Sequence, residues 1–445
     1  MRQIQRTVLA CLLSLGLISA AHAVLPIEKL ESIKGAPLFL VQTKALPMVD
    51  IEISIDAGAR YDLMGKSGLA EMTGELLSYG TQSSQGNLSE AQIADEIADL
   101  GANFSIQVSG ERAILRIRSL SRKDIRDRAV QLAASMLASP SYDEKILSRE
   151  KQRISTSILE SDTKPQTVLE RQFKKSVYGT YPLAYSPTVK SVSNVSATDL
   201  KQFHRQFYRA DRMIISIVGD VSRADASQIA QGLLRAVPQA GPAISALPVF
   251  ERSPVEPLKQ RETNIAFDSQ QAHIAMGMTA VTRNNPDYYP LLVGNYILGG
   301  GGFVSRLMSE VREKRGLAYS VFSYFQPGKD AGIFQAGLQT KNDQAALALE
   351  VLSTTIAKFI ANGPSPEELT AAKANLVYGY PLRIDSNRKL LDNVSSIAWN
   401  DLPLDTLDVW TKQVEAVTLE QVKIAFQKYL AMDRMKIVVL GAKNK

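Results

Sequence analysis

Val195 to Val221 reads VSATDLKQFHRQFYRADRMIISIVGDV, and Val417 to Lys443, 222 positions further on, reads VTLEQVKIAFQKYLAMDRMKIVVLGAK. The two stretches align without a gap. Lys201 falls on Lys423, Asp211-Arg212-Met213 on Asp433-Arg434-Met435, Ile215 on Ile437 and Gly219 on Gly441. The same displacement sets Leu147 on Leu369, Lys151 on Lys373 and Gly110 on Gly332. We read a tandem duplication that spans most of each half.

Between the copies, Val237 to Pro257 carries Pro238, Pro242, Pro248, Pro254 and Pro257 with neither a helical nor an alternating apolar period. Proline at that density predicts an extended linker. The expected organisation is a leader at 1–23, a first domain at 24–237, a linker at 238–261 and a second domain at 262–445. Val49 to Asp56, Ala113 to Leu120, Ala272 to Met278 and Gly332 to Thr340 alternate or run apolar like strands. Leu88 to Leu100 and Ala345 to Ala361 have helical spacing, and Ser196 and Thr418 are candidate N-caps. Each copy closes on an apolar strand, Met213 to Val218 or Met435 to Leu440. The expected fold class is α+β, two duplicated domains that each pack helices on a mainly antiparallel sheet.

Composition sets the outer bounds. Of the 445 residues, 45% are hydrophobic and 22% charged, which excludes a disordered, collagenous or polytopic membrane chain. Arg2 and Arg6, the apolar run Val8 to Ala20 and Ala21-His22-Ala23 have the order of a cleaved secretory leader. The chain is therefore expected to be exported, to the periplasm in a Gram-negative source. Removing the leader takes the net charge from +6 to about +4, too weak to argue for nucleic acid. It also removes the one cysteine, Cys11, and with it any disulfide or thiolate chemistry. No later stretch reaches about 18 consecutive apolar residues, so no integral membrane segment is expected after the leader.

The most informative stretch for chemistry is Gly299 to Tyr319, GGGGFVSRLMSEVREKRGLAY. Four glycines, Gly299, Gly300, Gly301 and Gly302, leave backbone open to a ligand or another chain, and Phe303 to Arg315 then has helical spacing. By itself a glycine run also fits a plain connecting loop. The glycine loop, Ser305-Arg306-Leu307 and Arg312-Glu-Lys-Arg-Gly-Leu-Ala-Tyr319 together resemble the second half of the insulinase and pitrilysin family of zinc metallopeptidases, which includes the mitochondrial processing peptidase. The resemblance extends over nearly the whole chain beyond the leader. It implies that Arg312 and Tyr319, seven residues apart, reach the active site as a catalytic half-site, and that Gly299 to Gly302 contact substrate.

The family's first half carries His-x-x-Glu-His. Here the matching stretch is Gly68-Leu-Ala-Glu71-Met-Thr-Gly74-Glu75, so Glu71 and Glu75 stand where the resemblance implies histidines and Gly74 where it implies the general base. The implied third ligand, a glutamate on a later helix, aligns with Ser157 when Glu150 marks the earlier acidic position. A catalytic zinc of this kind needs neutral imidazoles, a carboxylate, an open position and a base. Outside the leader only His204 and His273 remain, so no metal or cofactor is expected in this chain. The resemblance then implies a noncatalytic subunit, inactive alone. Its partner would be a homologous chain with an intact His-x-x-Glu-His and its zinc, and its substrate a peptide. A zinc-free peptide-binding or scaffold protein of the same fold is the alternative.

Overall fold

The computed structural model describes residues 25–83, 86–330 and 332–441, so the leader read at 1–23 lies outside the described residues. The first half contains β1 (Glu28–Ile33), β2 (Ala36–Gln42), β3 (Met48–Ile55), a small hairpin β4 and β5 (Gly80–Ser83, Gly86–Ser89), β6 (Asn103–Val108), β7 (Ala113–Leu120) and β8 (Met213–Gly219). The second contains β9 (Glu262–Ile265), β10 (Gln271–Thr279), β11 (Val321–Gln326), β12 (Ile333–Lys341) and β13 (Lys436–Leu440). The helices that carry the argument are α1 (Leu69–Glu75), α2 (Glu90–Asp99), α3 (Glu144–Ser161), α4 (Pro165–Tyr178), α5 (Ala197–Phe207), α6 (Ala345–Asn362), α7 (Asn387–Trp399) and α8 (Leu419–Tyr429).

The first sheet runs β1-β2-β8-β3-β7-β6 and the second β11-β12-β10-β13-β9. In each, the closing strand pairs parallel with one neighbour, β8 with β2 and β13 with β9, and every other pairing is antiparallel. The duplication is therefore a duplication of topology. Ile214 pairs with Ser54, and its counterpart Lys436 pairs with Gly277, so β3 and β10 correspond at a displacement one residue longer than the closing strands. On the other side Ile114 pairs with Ser54 and Gln335 with Gly277. The ungapped match of Gly110 to Gly332 is thus off by one, absorbed in the hairpin loops.

The N-caps form as read. Ser196 Oγ accepts from Asp199 N at 3.1 Å and Thr418 Oγ1 from Gln421 N at 3.2 Å, each inside a reciprocal capping box that fixes where α5 and α8 begin. Two expectations need correction. The helix read from Leu88 starts at Glu90, because Leu88 belongs to β5 and Ser89 caps α2. The run Phe303 to Arg315 is not one helix: it is a 3-10 turn at Gly302–Val304 followed by a wide π turn at Met308–Glu313. Among the described residues, 342–362 is the one segment long and apolar enough to cross a membrane, yet Ala348, Leu352, Ile356 and Phe359 within it pack into the second core.

The halves exchange helices. α4, from the first half, lays Leu169, Phe173 and Val177 on Ala275, Ile333, Val438 and Leu440 of the second sheet. α7, from the second half and displaced by the same 222 positions, lays Leu391, Val394 and Ile397 on Phe39, Val41 and Val218 of the first sheet. Each sheet therefore buries both faces, which is why β3 is buried from Val49 to Ile55 although Asp50, Glu52 and Ser54 alternate with Ile51, Ile53 and Ile55. The two exchanges differ in chemistry. Under α4 the centre of the contact is apolar, with the Phe173 ring over Gly277, where an added Cβ would stand 2.8 Å from Phe173 Cζ. Under α7 it is polar: the buried Glu52 carboxylate accepts from Arg116 Nε and Ser54 Oγ, both at 2.7 Å, and from Ser395 Oγ. Arg116 continues to Asp392 of α7 at 2.6 Å, so the charge on Glu52 is compensated across the junction.

Residues 238–257 form neither helix nor strand and are pinned rather than free. Ser253 N donates to Thr279 Oγ1 at 2.8 Å and Thr279 N to Ser253 Oγ at 3.2 Å, while Phe250 packs on Tyr178 and Tyr181.

Candidate functional site

α1 carries the positions that the resemblance assigns to metal and base. Its start is fixed by Asp62, whose carboxylate accepts from Gly68 N at 2.8 Å and Ala70 N at 2.7 Å. Gly68 sits at φ +100°, a left-handed conformation that favours glycine. Burial pushes the Asp62 carboxyl up to about 6 against those two hydrogen bonds. The inner face of α1 packs Leu69, Ala70, Met72, Thr73 and Gly74 into the first core. Gly74 has no room for a side chain there, because an added Cβ would stand 2.5 Å from Val108 Cγ2 and 3.2 Å from Tyr208 Oη.

Glu71 and Glu75 of α1 and Ser157 of α3 line one pocket of about 270 Å³. What fills the space between helices is a guanidinium. Arg153 of α3 donates from Nη2 to Glu75 at 2.9 Å and from Nε to Glu150 on its own helix, and Arg149 Nε also donates to Glu150 at 2.9 Å. Burial would raise the Glu150 carboxyl, but the hydrogen bonds from Arg153 and Arg149 outweigh it and hold the group below its ordinary value. Desolvation in the pocket, and then the charge of Glu75, raises Glu71.

These residues do not fit a catalytic zinc. Two carboxylates and a serine hydroxyl replace the imidazoles and the third carboxylate, the base position is a packed glycine, and the half-exposed Arg153 guanidinium already pairs with one of the carboxylates. Among the described residues no group of three His, Cys, Asp or Glu side chains is placed to hold a metal ion. Arg153 was not legible as part of this site. Its only trace in sequence is the spacing Arg149, Glu150, Arg153 on one helix.

The two histidines lie elsewhere. His204 Nε2 donates to Leu137 O at 2.8 Å and its ring stacks on Tyr208 and meets Tyr142 edge-on. Burial lowers its pKa to about 4. His273, with Nδ1 at 3.3 Å from Gln166 Oε1, joins α4 to β10. A histidine whose folded pKa is depressed binds its proton more readily when unfolded. Stability should therefore be lost as pH falls from about 6.5 toward 4, by up to about 3 kcal/mol. His204→Phe, which copies Phe426 at the equivalent place in α8, should flatten that dependence. Urea unfolding at pH 7.5 and 4.5 checks it, and an unchanged slope would contradict the assignment.

Arg312 and Tyr319 stand in a different environment. Arg312 lies in the π turn with no ion pair or hydrogen bond from its guanidinium among the described residues. Its guanidinium carbon is 4.9 Å from the Phe303 ring centre and 5.0 Å from that of Tyr319. Tyr319 is 84% exposed, so it is not a core aromatic. No residue of 299–319 lines the pocket over Glu71 and Glu75. The pocket over Glu71 and Glu75 thus draws none of its described lining from the region that the resemblance joins to it.

The glycine run is tighter than its composition suggests. An added Cβ at Gly299 would stand 2.5 Å from Ser323 N of β11, one at Gly300 2.7 Å from Asn295 Nδ2, and one at Gly301 2.7 Å from Tyr296 O. Only Gly302, at φ +62°, opens onto free space. Three of the four glycines are thus explained by close packing. Behind the π turn a groove of about 730 Å³ runs along α6, with Arg306 held by Glu368 and both Lys314 and Arg315 held by Glu310.

Residues 39–188 match the insulinase domain of peptidase family M16, and residues 194–376 the peptidase M16 inactive domain. The crystal structure of a peptidase M16 inactive domain from Pseudomonas fluorescens superposes with a TM-score of 0.88 at 32% identity, over 94% of this chain and 98% of that one. The chain belongs to the M16 family. Within M16, a Helicobacter pylori protein named the non-peptidase homolog YmxG is 24% identical over 412 residues, 92% of each chain. The periplasmic protease PqqL of Escherichia coli shares the fold, with a TM-score of 0.79 and 17% identity, over 94% of this chain but 46% of its own. Likeness to an inactive domain and to a non-peptidase homologue agrees with a noncatalytic M16 chain.

Proposed function

We propose that this M16 chain is the noncatalytic subunit of an exported, two-chain zinc metallopeptidase that acts on peptides. The observation that carries the reading is the contrast between its two half-sites. At α1 the base position is packed shut and Arg153 holds Glu75, whereas among the described residues Arg312 keeps every donor free beside an exposed Tyr319. The partner would be a homologous chain with an intact His-x-x-Glu-His. Its zinc would polarise the scissile carbonyl and activate water.

This chain's part is then electrostatic. The five fixed N–H donors of Arg312 suit a carbonyl oxygen that becomes an oxyanion, and the Tyr319 hydroxyl adds one more donor. Gly302 and its neighbours form a wall that backbone of a bound peptide can approach. The PqqL chain supports the pairing, because this chain spans 46% of it, as expected if that protease carries two such units in one chain. Its periplasmic location also agrees with the leader-like residues at 1–23.

The test is reconstitution. Purified alone, the chain should retain no zinc and cleave no peptide, and adding the intact-motif homologue should restore turnover at a one-to-one ratio. Full activity of that homologue alone would contradict the reading. It would favour the scaffold alternative, which the name of the Helicobacter relative also suits.

A further inference from the structure

We infer that Phe303 is a positioning residue, which holds the Arg312 guanidinium toward substrate without occupying any of its donors. The inference rests on the proposed role of Arg312 and adds a residue that the resemblance does not assign. Arg312 could have been held by a carboxylate, and two are close by in sequence, Glu310 and Glu313, of which Glu313 makes no ion pair with it among the described residues. Glu310, however, is already bound by Lys314 Nζ at 2.6 Å and Arg315 Nη1 at 2.8 Å. The hydrogen bonds that hold Glu310, together with burial that works against them, leave its carboxyl below the ordinary range. Two aromatic faces are what remains for Arg312, at 4.9 and 5.0 Å.

That choice of neighbours has a chemical consequence. An ion pair consumes in-plane N–H groups, while a ring attracts the flat face of the guanidinium and leaves all five N–H groups pointing outward in its plane. The arginine is then oriented before substrate arrives, and its donors need not be released from another acceptor. Tyr319 has a hydroxyl of its own to contribute. Phe303 has none, so its part can only be to orient.

The backbone makes Phe303 a fixed platform although the ring is 70% exposed. Gly302, at φ +62°, turns the chain outward, and the turn Gly302–Val304 is locked by Ser305, whose N and Oγ both donate to Gly302 O at 3.0 and 2.7 Å. Ser305 itself is buried, and Leu307, Met308 and Val311 anchor the following turn in the second core. Both ends of the Phe303–Arg312 contact are therefore tied to packed structure.

The experiment compares Phe303→Leu, which keeps bulk and loses the ring, with Phe303→Trp, which keeps a ring, in the complex purified through a tag on this chain. With an internally quenched fluorescent nonapeptide pool as probe, Phe303→Leu should lower kcat about fivefold with KM little changed, and Phe303→Trp should stay near the original value. Arg312→Ala is run beside them. A large loss from Arg312→Ala with none from Phe303→Leu overturns the role of Phe303 alone, whereas no loss from Arg312→Ala overturns the reading on which it rests. A second readout needs neither partner nor substrate. In the free chain the Arg312 side-chain NMR signal, identified by its loss in Arg312→Ala, should be shifted by ring current and should return toward the ordinary arginine position in Phe303→Leu but not in Phe303→Trp. A signal indifferent to Phe303→Leu overturns the positioning role.

Discussion

Arg312→Ala should lower turnover of the assembled peptidase by at least about 10²-fold while leaving assembly and folding intact. The size follows from what is removed. In a water-excluded site, a donor aimed at developing charge contributes about 10²–10³-fold, because it needs no reorganisation when the charge appears. The sparing of the fold follows from where Arg312 sits: its guanidinium lies beside two exposed rings and makes no hydrogen bond or ion pair among the described residues. Steady-state kinetics of the complex, with thermal melting of the free chain as control, separates the two. A tenfold rise in KM with kcat unchanged would assign Arg312 to uniform substrate binding instead.

Phe173→Ala should cost about 3–5 kcal/mol and should weaken the coupling between the halves. The ring is buried at the centre of the α4 contact with the second sheet, seated over Gly277 between Leu169 and Val177. Ala275 and Gly277 are too small to fill the void, and the β10 backbone is held by ladders to β12 and β13, so the cavity cannot collapse. The counterpart of Phe173 at the duplicated displacement is Ser395, whose Oγ lies 3.2 Å from Ser54 Oγ in the other exchange. The same Oγ also donates to the buried Glu52 carboxylate, so Ser395→Ala should cost about 1–3 kcal/mol, less than Phe173→Ala and through a lost hydrogen bond rather than a cavity. Urea unfolding followed by tryptophan fluorescence measures both, since Trp399 and Trp410 report from the second half. A Phe173→Ala cost below about 1 kcal/mol would mean that α4 is not what ties the halves together.

Much of this architecture was readable in advance, and the exceptions share a cause. The displacement of 222 positions identified the closing strands and the capped helices before them, because those segments carry their own period and caps. It could not say that α4 and α7 cross to the opposite sheet. An apolar helix face announces that it packs, never against what.

The site divides the same way. Glu71, Gly74, Glu75 and Ser157 were legible as changed positions, and the pocket gathers three of them. Arg153 was missed because its link to Glu75 joins two helices 78 residues apart. The glycines at 299–301 looked like open loop, since nothing local shows that β11 and residues 295 and 296 press against them. Phe303 had no signal in sequence beyond an aromatic after a turn.

The central claim is that this chain lends Arg312 and Tyr319 to a zinc site on another chain. The most direct measurement is the native mass and zinc content of the complex purified from its source cells through a tag on this chain. The account predicts one copy of this chain, one homologue with His-x-x-Glu-His, and about one zinc per pair, all on the homologue. A zinc-free homodimer, or assembly with proteins that lack the motif, would contradict it.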